Sequence, residues 1–227
     1  MKKLILFCFL MFQASLTSFS QNSPEIKVGN KKLDLAKLNV DVKIAGNLAT
    51  TTFELFFYNP NDERLEGELS FPLGEGREVS RFSLGINGKL REAVIVEKEK
   101  ARVAFESTVR RRIDPALLEK TQGNNYKARI FPIEAKSYKR VVLAYDEELI
   151  LNKGKLFYQL PLEYDVKLEN FNLKISVAGI DDASALKSNL KFENSDGKLV
   201  SEIKKENFKL DQDFIFRIDK NDAKPTF

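Results

Sequence analysis

The chain has no histidine and one cysteine, Cys8, among its 227 residues. Without histidine, Ser-His-Asp and Cys-His arrangements cannot be assembled, and the usual zinc ligand sets are excluded once Cys8 is removed by processing. Solenoid-period repeats and low-complexity tracts are also missing. No apolar run is long enough to cross a bilayer. The N-terminal run Leu4 to Phe12 is too short for a span, and it follows Lys2 and Lys3 and gives way to small and polar residues up to Ser20. That order predicts a secretory signal peptide over 1–20, cleaved after Ser18 or Ser20. Cys8 lies inside the run behind Phe7, so it does not read as a lipid-attachment site, and the exported chain is expected to hold no disulfide. Strong charge is absent too. The formal charge is +4, and subtracting Lys2 and Lys3 leaves +2, which offers no general attraction to nucleic acid.

What is present is ordinary globular composition, 43% hydrophobic and 31% charged, enough for a sizeable core. Residues 21–35 read as a loose polar leader. From Leu38 the pattern alternates: Leu38, Val40, Val42 and Ile44 face one way, and Asn39, Asp41 and Lys43 the other. Gly46-Asn47 turns the chain into a second alternating run, Ala49 to Phe57, rich in β-branched and aromatic residues. Further runs end at Asn59-Pro60-Asn61-Asp62, at Asn87-Gly88 and at Asp196-Gly197, each with turn chemistry. Between them lies one helical period: Ala101, Ala104, Phe105, Thr108, Val109 and Ile113 recur at spacings of three and four. Asp114-Pro115 halts that period and permits a short second turn through Leu118. The expectation is a mainly β protein, an antiparallel β-sandwich with one amphipathic α-helix inserted at about 97–112. A domain over 36–150 would be followed over 151–227 by more strands packed on the same sandwich.

Five segments carry a family resemblance: Tyr58-Asn59-Pro60; Leu65-Glu66-Gly67-Glu68-Leu69 with Phe71-Pro72-Leu73; Ile86-Asn87-Gly88-Lys89; Glu97-Lys98-Glu99-Lys100-Ala101; and Phe131-Pro132-Ile133. In this order and spacing they resemble the VIT domain, the module named after vault protein and the inter-alpha-trypsin inhibitor heavy chains. The resemblance covers roughly 36 to 150. It implies a β-sandwich with one helix, no catalytic activity, no cofactor, and a role in protein association. Such domains commonly precede a von Willebrand factor A domain, whose metal site begins Asp-x-Ser-x-Ser. Here Asp182-Ala183-Ser184-Ala185-Leu186 lacks the second serine, so the A domain and its metal are expected to be absent from this chain, and one on another chain becomes a candidate partner.

Other chemistry has little support. Ser184 with Lys187 and Ser201 with Lys204 match a Ser-x-x-Lys spacing, but the second pair falls on opposite faces of a strand. Adjacent acids at Asp146-Glu147-Glu148 and Asp181-Asp182 cannot converge from neighbouring strand positions. Gly74 and Gly76 are not followed by a phosphate-cradling helix start. Three strands close on proline, at Pro72, Pro132 and Pro161, which either protects sheet edges or frames a docking surface. Basic residues dominate from Lys98 to Arg140, and Arg110, Arg111, Arg112 and Arg129 are the predicted contacts for an anionic or protein partner; a solvated face with local ion pairs is the plainer alternative. The sequence therefore predicts an exported, non-enzymatic scaffold or interaction module, periplasmic, outer-membrane-associated or extracellular. It has no membrane-spanning segment after processing and no nucleic-acid partner. An adhesin or module binding an anionic glycan is the alternative.

Overall fold

The computed structural model describes residues 23–97, 117–180, 183–188 and 190–219. Of the predicted helix at about 97–112 only Glu97 is described, as the end of a strand; the rest, with Arg110, Arg111 and Arg112, lies outside the described residues, as does Asp181-Asp182. Among the described residues the only helical pieces are two single 3-10 turns, Gln122–Asn124 and Ala183–Ala185. The rest is strand and turn.

The strands are β1 (Glu25–Val28), β2 (Lys31–Ala45), β3 (Leu48–Asn59), β4 (Leu65–Pro72), β5 (Arg77–Ile86), β6 (Lys89–Glu92), β7 (Val94–Glu97), β8 (Leu117–Thr121) and β9 (Asn125–Ile133). They continue with β10 (Ser137–Glu148), β11 (Leu151–Asn152), β12 (Lys155–Leu160), β13 (Val166–Ala178), β14 (Leu186–Lys187), β15 (Glu193–Ser195), β16 (Lys198–Leu210) and β17 (Phe214–Asp219). A large sheet runs in the order β6-β5-β10-β3-β2-β1-β4-β9-β8-β7, with β13, β16 and β15 branching from β2. A small sheet runs β11-β12-β17-β14.

The branch exists because β2 changes partners along its length. Lys31 to Leu33 pair with β1. From Asp34 the strand pairs with β3 on one side, across a bulge between Leu35 and Lys37, and from Lys37 it pairs with β13 on the other. A bulge adds a residue and bends its strand, so the sheet folds back: Phe53 on β3 meets Phe71 on β4 edge to face, 5.6 Å between ring centres, although those strands share no ladder. Alternation decides which side is dry. In β3, Ala49, Thr51, Phe53, Leu55, Phe57 and Asn59 are buried while Thr50, Thr52, Glu54, Phe56 and Tyr58 are half-buried. The small sheet covers the same inner face, through a 2.7 Å Thr51–Tyr158 hydroxyl contact and the stacking of Phe214 on Phe171.

Several expectations change. The leader is not loose from Glu25 onward: β1 is sandwiched between β2 and β4, with Ile26 fully buried. Gly67 makes this possible, because a Cβ there would stand 2.7 Å from both Ile26 Cγ2 and the Lys27 carbonyl oxygen. Leu117–Thr121 is a strand rather than a helical turn; it finds ladder partners on both sides, in β7 and β9. After the Asn87-Gly88 turn the chain changes partners at Ala93, β6 joining β5 and β7 joining β8. Pairing is not purely antiparallel, since β13 lies parallel to β2 and β7 parallel to β8. Pro132 is not a strand exit. It sits in a bulge where Phe131 and Pro132 oppose Glu66 alone, a place where a missing N–H costs no ladder bond.

Candidate functional site

Across the described part of the basic region, cations stand opposite carboxylates. Arg129 on β9 pairs with Glu66 on β4, and Lys127 with Glu68 at 2.7 Å on the same two strands. Lys136 reaches Asp62 at 3.3 Å and donates to the Pro60 carbonyl. Arg140 on β10 pairs with Glu54 on β3. These are cross-strand pairs, with Lys136–Asp62 between turns, each worth at most about 1 kcal/mol, and they offset the charge that the sequence concentrates there.

Lys139 is buried instead. Strand alternation turns it inward, where it is 3% exposed and its Nζ donates to the carbonyls of Gly85 (2.9 Å) and Pro132 (2.8 Å). Burial lowers its pKa to about 8, opposed by the charge of Glu134. A second buried polar side chain explains a sequence motif. Asn59 Nδ2 donates to the carbonyls of Glu63 (3.0 Å), Glu134 (3.0 Å) and Ile133 (3.3 Å), and its Oδ1 accepts from Asn61 N at 3.0 Å. This ties the β3–β4 turn to the β9–β10 turn. The acidic run Asp146-Glu147-Glu148 alternates as strand geometry requires: Asp146 accepts from Thr50, Glu148 from Asn47, and Glu147 turns the other way to Arg77.

The outer face of the large sheet carries a different polar group. Glu54, Asn39, Asn172 and Lys204 stand directly opposite one another on β3, β2, β13 and β16. Asn172 Nδ2 donates to Asn39 Oδ1 (2.7 Å), and Asn39 Nδ2 donates to Glu54 Oε2 (2.8 Å); Arg140 Nε completes the row by donating to Glu54 Oε1. Beside this row lies an open groove of about 420 Å³ lined by Phe56, Tyr138, Arg140, Asn39, Asn170 and Asn172 together with Lys37. Tyr138 is held by three contacts: its ring tilts on Tyr58 at 5.1 Å, Lys37 Nζ lies 4.1 Å above it, and its hydroxyl donates to Glu169 at 2.8 Å. Gly85 gives Arg140 its room, since a Cβ at 85 would come 2.9 Å from Arg140 Cβ.

The small sheet shows the opposite character. Phe157 on β12 and Ile215 on β17 point outward as diagonal neighbours, 50% and 56% exposed, and Ile150, 80% exposed, lines a groove with Phe157. No group of three or more His, Cys, Asp or Glu side chains converges among the described residues. Ser201 is buried while Lys204 projects to solvent, so that pair does not meet.

Residues 35–145 match the family model of the vault protein inter-alpha-trypsin domain. The chain carries a VIT domain. No curated protein matches the chain significantly. Among solved structures, a Legionella pneumophila protein described provisionally as nutrient-binding superposes with a TM-score of 0.51 at 10% identity, over 87% of this chain and 70% of that one. A two-domain M1 zinc metallopeptidase mutant bound to L-tryptophan gives 0.50 at 10% identity, over 85% of this chain and 44% of the other. The M1 zinc metallopeptidase from Deinococcus radiodurans gives 0.49 at 10% identity, over 85% and 43%. This chain spans less than half of each metallopeptidase, and at such identities the likeness is one of fold. The VIT domain supplies Asn39, Phe56, Tyr138 and Arg140 to the groove, whereas Asn170 and Asn172 come from β13, beyond the VIT match. Sequence reasoning singled out Arg129 and missed the groove. An asparagine at a wet strand position gives no local sign of what stands beside it.

Proposed function

We propose that this protein is an exported, non-catalytic interaction module of the cell envelope, built as a β-sandwich whose VIT domain and C-terminal strands together dock a protein partner. The VIT match over 35–145 carries this reading. The exposed Phe157, Ile215 and Ile150 support it, because a cluster of large apolar side chains left in water is where association has most to gain. A von Willebrand factor A domain on another chain is a candidate partner. The absence of histidine fits a role without hydrolytic chemistry. Arg129, with Arg110, Arg111 and Arg112, is kept as a secondary contact region.

Two measurements test this. Mass analysis of the protein recovered outside the cytoplasm should give an N-terminus near Gln21, and recovery of uncleaved chain from the cytoplasm alone would remove the export claim. In crosslinking from envelope fractions, Phe157→Glu with Ile215→Glu should lose the captured protein while the wild type keeps it at high salt, since apolar docking is little screened. Equal capture by the variant would remove the apolar face from the mechanism.

A further inference from the structure

We infer that the groove on the outer face of the large sheet binds an uncharged glycan. Charge comes first. Arg140 is matched by Glu54, Lys37 by Glu169 at 3.8 Å, and Lys174 by Glu202 at 3.1 Å. A charged ligand finds its counter-charge already occupied, and a neutral one loses nothing by that.

Hydrogen-bonding capacity narrows the class. The row is polarised, Asn172 donating to Asn39, Asn39 to Glu54, and Arg140 to Glu54 from the far side. Among the described residues this leaves the Asn172 Oδ1, the whole Asn170 amide and the terminal guanidinium nitrogens of Arg140 without a protein hydrogen-bond partner, and all three residues line one groove. Planar groups that offer donors and acceptors side by side suit hydroxyls, each of which is both. Phe56, directly across the ladder from Arg140, adds an apolar wall for the C–H face of a sugar ring. An extended peptide gains most of its affinity by adding to a sheet edge. Here β2, β3 and β13 beneath the groove are paired on both sides, and β10, which meets β5 only from Val141 onward, is paired along the groove with β3. Nucleic acid needs a net positive surface, which the ion pairs remove.

The site straddles the seam between the VIT domain and β13, so the VIT domain by itself holds only part of it. This inference does not depend on the protein-docking face, which lies on the other sheet. The test is titration of the full chain with cellohexaose, laminarihexaose, mannohexaose and chitohexaose, with polygalacturonate and heparin as charged controls. Side-chain amide signals of Asn39, Asn170 and Asn172 report the site. At least one neutral hexasaccharide should shift those signals, with an affinity that changes less than about twofold between about 50 and about 500 mM salt. Asn170→Ala with Asn172→Ala, and separately Phe56→Ala, should each weaken it at least about tenfold while circular dichroism stays unchanged. No binding by any neutral hexasaccharide, binding confined to the charged polymers, or full affinity in both variants overturns the proposal. Loss of partner capture in the Phe157 and Ile215 variant with glycan binding intact separates the two surfaces.

Discussion

Asn59 and Asn39 are the same side chain in two settings, and the contrast shows what burial does to an amide. Asn59 is fully buried and spends its donors on three carbonyls across two turns. Asn39 is half-buried on the wet face and is one link in an open row. Leaving a buried donor or acceptor unpaired costs about 1–3 kcal/mol, while an exposed one is satisfied by water. The first network therefore fixes the fold, and the second is available to a ligand.

The largest expected effect tests the buried side. Asn59→Asp points a carboxylate at the carbonyls of Glu63, Ile133 and Glu134, and should destabilise the protein by about 4 kcal/mol or more in urea unfolding. Asn172→Asp on the outer row should cost less than about 1 kcal/mol. Equal losses would erase the distinction.

Lys139 gives the next effect. Its folded pKa of about 8 lies below the unfolded value of about 10.4. Between those values the unfolded chain holds the proton and the folded one does not, so stability rises with pH, by about 1.4 kcal/mol per pH unit at most. Expressed as a contribution, it is complete above the unfolded value and lost as pH falls through about 8. The wild-type melting midpoint should climb by about 5 °C from about pH 7.5 to about 9.5, below the range where buried tyrosines oppose the trend, and Lys139→Met should flatten that climb. A wild-type profile already flat would mean that the ammonium is better solvated than its surroundings imply.

Asn39→Ala breaks the outer row and should leave urea stability within about 1 kcal/mol while reducing groove occupancy by cellohexaose or its equivalent. The smallest effect belongs to an ordinary surface pair. Arg64 and Glu134 stand 2.9 Å apart with both side chains exposed, and Arg64→Ala should change stability by no more than about 0.5 kcal/mol.

Much of this was legible from local pattern. The alternation of β2 and β3 appears residue by residue in their burial. The Asn87-Gly88 and Asp196-Gly197 turns adopt the positive φ angles their types permit, 51° and 74°, 52° and 71°. Two of the motif segments gain physical reasons, Asn59 as a tie between turns and Gly67 as clearance for β1. What sequence pattern did not reveal is non-local. β1 reads as polar leader because its four residues become a strand only between two others. The parallel pairing of β13 with β2 has no turn to announce it, and the groove follows from that pairing.

The Asn172–Asn39 contact spans 133 residues of sequence, and that separation sets an order of events. Loop closure over so long a stretch is slow, and parallel ladders form late. The free side of β2 stays open to strangers until β13 arrives, so a chain cut short before Val166 should aggregate rather than persist as a smaller working module.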